Sequence, residues 1–96
     1  MTSMEYRHFV LKYNRDTFKE ICSGLGFQMR ELLGLIENRD LHGKPVSPDR
    51  IKDECGDLMF HLISFLADEG LSIEEVMDFN AAKVQARNVL DFRTVR

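Results

Sequence analysis

Residues 50–66, RIKDECGDLMFHLISFL, decide how this chain folds. Ile51, Leu58 and Phe65 recur at intervals of two helical turns, which predicts a helix with one apolar face. Against that face the segment sets Glu54 and Asp57, three residues apart and so on one side of the helix. Two carboxylates so placed either repel each other or share a cation. Glu54 falls on the side of Ile51, Leu58 and Phe65, and a carboxylate desolvated there needs a partner. Asp57 falls at the border towards Arg50 and Asp53.

Working outward, Ser47-Pro48 supplies a cap followed by proline at the first helical position, and Gly70 supplies a left-handed stop after Glu69. Upstream, RDLHGKPVSPD (39–49) holds both prolines of the chain and reads as a loop. Before it, 17–38 carries Phe18, Ile21, Cys22, Leu25, Met29, Leu32, Leu33 and Ile36 at spacings of three and four, a long amphipathic helix. Gly24 and Gly26 weaken that helix by about 1 kcal/mol each relative to alanine and predict a kink or break near 24–26. MEYRHFVLKY (4–13) predicts a short first helix with Tyr6, Phe9, Val10 and Tyr13 on one side and Thr2 or Ser3 as its cap. Asn14 to Asp16 reads as a break. Ser72 and Glu75 predict a capping box opening a fourth helix over 73–88. No segment alternates with strand periodicity. The expected fold class is all-α, a single domain over 1–96 with two long antiparallel helices packed against shorter ones.

Composition bounds what such a chain does. At 96 residues it buries only about 60–65% of its unfolded surface, so partner copies are expected. Hydrophobic residues make up 44% and charged residues 30%, with no run approaching the roughly 18 apolar residues of a membrane span. A net charge of −3 argues against nucleic acid as the main partner. MTSMEYRHF places charges where a signal peptide needs its apolar core, so the cytoplasm is the expected compartment. Cys22 and Cys55 have no CxxC spacing and read as reduced, partly buried thiols.

The acidic pair at 54 and 57 has a counterpart. Gln28 and Glu31 are also three apart, on the long helix before the loop. Glu31 lies about 13 residues before the loop's centre and Glu54 about 10 beyond it, a mismatch of less than one helical turn, so the two pairs are expected at one height. Oxygen donors converging from two helices suit a hard cation such as Mg²⁺ or Mn²⁺. The competing expectation is that all four are solvated surface residues.

Residues 24–87 resemble the MazG family of all-α nucleoside triphosphate pyrophosphohydrolases, whose signature is EExxE, a spacer, then ExxD. Glu54-Cys55-Gly56-Asp57 matches the second half of that signature. RELLGLIENRDLHGKPVSPDRIKDECGDLMFHL is similar to family members in loop placement and in its HGKP turn, and GLSIEEVMDFNAAKVQAR resembles the closing helix, with Asn80, Lys83 and Arg87 in the register N-x-x-K-x-x-x-R. The first half departs: Phe27-Gln28-Met29-Arg30-Glu31 keeps only the last glutamate, and Gln28 stands where the family has a metal-ligating carboxylate. The resemblance implies hydrolysis of a nucleoside triphosphate to monophosphate and pyrophosphate, possible nucleotide house-cleaning, and assembly as a homodimer or homotetramer. It implies Gln28, Glu31, Glu54 and Asp57 as ligands of Mg²⁺ or Mn²⁺, with Glu31, Glu54 and Asp57 catalytic. Asn80, Lys83 and Arg87 would contact phosphate oxygens.

Gln28 sharpens the alternatives. An amide oxygen is a neutral hard ligand, so the set keeps its geometry with one charge fewer, and a second metal is the first thing lost. Glu20, Glu37 and Asp40 are the available substitutes, though Glu20 is two turns from Gln28 and Glu37 lies nearer the loop. A weakened homologue that binds nucleotide or metal without turnover is the first rival; a structural helical interaction module is the second. His61, one turn after Asp57, reads as a packed, hydrogen-bonded residue rather than a ligand. Phe27, Phe60, Phe65 and Phe79 read as core or subunit interface.

Overall fold

The computed structural model describes residues 1–14 and 18–95, with the side chains of 18, 19, 22 and 89–95 outside that description. It contains four α-helices: α1 (Ser3–Tyr13), α2 (Phe18–Asp40), α3 (Pro48–Asp68) and α4 (Ile73–Val95), with no strand among the described residues. The fold is all-α. Among the described residues, no helix is long and apolar enough to cross a membrane. The packing expected of Phe18 and Cys22 and the break expected at 15–16 lie outside the described residues.

Each boundary has a local cause. Thr2 Oγ1 accepts the Glu5 N–H at 3.1 Å while Glu5 Oε1 accepts the Thr2 N–H at 3.2 Å, a complete capping box that satisfies two donors at the start of α1. Ser47 Oγ accepts the Arg50 N–H at 3.2 Å, and Pro48 occupies the first helical position of α3, where its missing N–H removes nothing. At the other end of α3, Gly70 has φ +70°, and the Leu71 N–H returns to the Leu66 carbonyl at 2.9 Å while the Gly70 N–H returns to Ala67 at 3.1 Å. That is a Schellman stop, with Leu71 and Leu66 as its apolar contact. Ser72 Oγ accepts the Glu75 N–H at 3.1 Å, as expected, but the Glu75 carboxylate accepts from the Ser72 hydroxyl rather than from its backbone N–H.

Two lengths differ from expectation. α2 continues through Gly24 and Gly26 without a break, and Gly24 lies in close contact with α3. A Cβ built on Gly24 would overlap the Cδ2 and Nε2 atoms of His61. That ring is anchored, its Nδ1–H donating to the Asp57 carbonyl at 2.9 Å. Tertiary contact thus outweighs the weak intrinsic propensity of glycine. α4 runs to Val95 instead of ending near 88, and the residues it adds contain neither glycine nor proline to stop it.

α2 and α3 are antiparallel. Gly24 meets His61 at one end, and Leu35, Ile36, Ile51 and Cys55 line one cavity near the loop. α1 packs across α3, where Val10, Ile63 and Leu66 form a buried cluster with Tyr6, Phe60 and Ile73 against it. Phe9 bridges outward from that cluster, edge-on to Phe60 at 6.4 Å and tilted on Tyr13 at 4.9 Å. Beyond Ile73, the described residues of α4 are exposed from Glu74 to Asn88.

The result is an open shape. The radius of gyration is 16.8 Å, against about 12.5 Å for a compact chain of this length. The accessible surface is 7525 Å², whereas a compact monomer of this mass exposes about 5,700 Å². Met29, Leu33, Val76 and Phe79, which belong to apolar stripes, are exposed, Phe79 at 75%.

Gly24→Ala is expected to destabilise the chain. Overpacking against an anchored ring costs about 1–3 kcal/mol, and the better helix propensity of alanine returns up to about 1 kcal/mol. A urea midpoint below that of the parent is the expected outcome; an unchanged midpoint would show that His61 yields without penalty.

Candidate functional site

The Gly24–His61 contact sets the register of the two long helices. One turn from it in opposite chain directions lie Gln28 on α2 and Asp57 on α3; three residues further lie Glu31 and Glu54. The two pairs therefore stand level on adjacent helices.

Their side chains part company from there. Glu54 is buried, 6% exposed, and Arg50 Nη2 lies 3.2 Å from its Oε1. The partner that a desolvated carboxylate requires is thus supplied by the preceding turn of the same helix. Gln28 is half-buried, while Glu31 and Asp57 are exposed. Asp57 makes itself felt on α1: the Tyr6 phenol is raised above its ordinary range, first by burial and then by the negative charge of Asp57. Among the described residues, no group of three or more His, Cys, Asp or Glu side chains is gathered closely enough to hold a metal ion. Glu31, Glu54 and Asp57 are level but not convergent. Glu54 rests on Arg50, and the other two face water.

The suggested substitutes stay apart from the pairs. Glu37 is exposed, and exposed Asp40 is engaged by Arg39 at 2.8 Å, a hydrogen bond that holds its carboxyl below the usual range. His61 is packed and hydrogen-bonded, as its position on an apolar helix predicts, and stands edge-on to Phe60 at 6.1 Å. Cys55 is a free, half-buried thiol; the Cys22 side chain lies outside the described residues.

Asn80 and Lys83 share one groove of about 430 Å³ on α4 with Leu71, Glu75, Val76 and Phe79. Arg87 follows one turn later on the same exposed helix. α4 meets the body at its first turn, through Ile73 and a hydrogen bond from the Ser3 hydroxyl to the Glu74 carboxylate, and with residues 74–88 exposed this strip is not buried along α2 or α3.

Two contributors were not singled out by motif. Arg50 was legible in principle, as a cation four residues before Glu54. Tyr6 was not, because its nearness to Asp57 depends on how α1 crosses α3. A separate cavity of about 480 Å³ between α1 and α3, with Tyr6, Met59, Leu62 and Ile63 in its wall, is apolar in character. No protein-family model, curated protein or solved structure matches this chain.

Asp57→Asn is expected to bring the Tyr6 phenol part of the way back towards pH 10, since burial, the larger cause, remains. Ultraviolet titration in a Tyr13→Phe background isolates that phenol. A raised phenol pKa contributes stability below the unfolded value and loses it as pH climbs through the folded one, so parent stability should fall above about pH 10. A Tyr6 titration unmoved by Asp57→Asn would place that carboxylate elsewhere.

Proposed function

We propose that this chain is a MazG-like pyrophosphohydrolase that cleaves a ribo- or deoxyribonucleoside triphosphate to a monophosphate and pyrophosphate. The observation that carries the reading is the level placement of Gln28 and Glu31 on α2 with Glu54 and Asp57 on α3, fixed by the Gly24–His61 contact. These are four oxygen donors at matching heights on two neighbouring helices, the chemistry a hard divalent ion selects. Gln28, Glu31, Glu54 and Asp57 would hold Mg²⁺ or Mn²⁺. Bound there, the ion supplies neutralisation of phosphate charge and a lowered water pKa. Glu54 contributes a buried, fixed negative charge; Glu31 and Asp57, open to solvent, remain accessible to an incoming triphosphate and orient water. Asn80, Lys83 and Arg87 would bind its phosphate oxygens.

Assembly belongs to the same proposal. The strip on α4 is not packed against the acidic pairs of its own chain, which favours its delivery by a second copy. The surface in excess of a compact monomer is about 1,800 Å², so pairing two chains over it would bury about 3,600 Å², within the obligate range. A homodimer or homotetramer satisfies this. Light scattering at micromolar concentration should report a multiple of the chain mass; a monodisperse monomer would contradict it.

One observation favours a second reading, nucleotide or metal binding without turnover. Gln28 removes one charge from the ligand set, and Arg50 already balances another. Pyrophosphate release from a panel of ribo- and deoxyribonucleoside triphosphates, with Mg²⁺ or Mn²⁺, separates the readings. Release from at least one is expected. Metal-dependent stabilisation with no release selects the binding protein, and no metal response selects a structural helical module. Gln28→Glu should tighten metal binding by up to about tenfold, or about 1.4 kcal/mol, and raise turnover with it. It should also enlarge the thermal shift on adding metal. If the variant gains neither, position 28 is not at a metal site.

A further inference from the structure

We propose that α4 is the pairing element of this chain, packing antiparallel against the α4 of a second copy about a two-fold axis at Phe79. The inference rests on the assembly proposed above and is independent of the metal reading. The groove on α4 is lined by Leu71, Glu75, Val76, Phe79, Asn80 and Lys83. Glu75, Phe79 and Lys83 follow one another at intervals of four residues, so they share one helix face, with Val76 beside them. All four are exposed in the single chain, and Lys83 forms no ion pair among the described residues.

Charge selects the second copy and its direction. Two such faces meeting in parallel would set Glu75 against Glu75 and Lys83 against Lys83, like charges that disfavour association. Antiparallel, with Phe79 on the axis, Glu75 and Lys83 lie one turn, about 6 Å, to either side of it. Each Lys83 then comes level with Glu75 of the second copy, and one residue pair is used twice, as a two-fold interface requires. The same register sets Val76 level with Ala82 of the second copy, a larger apolar side chain opposite a small one, and joins the two Phe79 rings at the centre. The Ser72 hydroxyl donates to Glu75 Oε1 at 3.2 Å, which leaves Oε2 for the second copy. The three N–H donors of Lys83 leave others for a phosphate. Arg87, eight residues past Phe79, comes level with Leu71 of the second copy, so the outer half of the basic strip lies along the corner of the other chain.

Sedimentation equilibrium on the parent, Lys83→Glu, Glu75→Lys, the double variant and Phe79→Asp tests this. Each single charge reversal should weaken association by about tenfold or more, since it places two like-charge pairs in the interface. The double variant, which restores opposite charges with their positions exchanged, should return to within about threefold of the parent. Phe79→Asp sets two carboxylates together on the axis and should dissociate the pair. Circular dichroism should show parental helix content throughout, because every altered residue is exposed. If Glu75→Lys loses helix, Lys83→Glu and Phe79→Asp decide. Parental association in both of these overturns the α4 interface and leaves assembly through another surface standing. Weakened singles with no recovery in a folded double variant overturn the antiparallel register. A monomeric parent overturns the interface and the assembly together.

Discussion

The register of the two long helices hangs on the approach of Gly24 to His61. The imidazole is held by its own helix through the Asp57 carbonyl, so it presents a fixed obstacle that only a residue without Cβ passes. Two helices meeting at such a point have one register, because sliding by a residue would swing the glycine away and bring a side chain into the ring. From that single point follow the height of Gln28 opposite Asp57, the height of Glu31 opposite Glu54, and the cavity that Leu35 and Ile51 share near the loop. The glycine that weakens α2 as an isolated helix is what aligns it as a packed one.

Charge governs the rest of the arrangement. Carboxylates brought level by packing still have to be compensated, and each finds what is nearest. Glu54, inside, takes the guanidinium one turn away; Asp57, at the edge, raises the phenol of Tyr6; Glu31 remains in water. The backbone organises the donors while the side chains stay apart.

The helix count, the Ser47-Pro48 start, the Gly70 stop and the burial of Glu54 were all legible in local sequence, because caps and amphipathic spacing act over three or four residues. The antiparallel register was legible from the loop position to within a turn. The continuity of α2 was not, since the reason for it, His61, lies 37 residues beyond Gly24. Nor was the separation of the carboxylates, because spacing reports which face a side chain occupies and not which way its charged end rotates. The exposed apolar residues of α4 show the same limit. Phe79 looks like a core residue by composition, yet it is 75% exposed.

The Schellman stop at Glu69 to Leu71 joins α4 to the body through a tight corner, with Leu71 bonded back to Leu66 and Ile73 seated on the buried cluster. A long rod fixed at one end is a lever. Lys83 lies about 15 Å along it from Ile73, so a tilt of about 10° at the corner carries that ammonium through about 2.6 Å, close to the length of a hydrogen bond. The position of the basic strip is therefore controlled at a distance by a turn that contains none of its residues, and steering it requires only a small change in the angle at which α4 leaves α3.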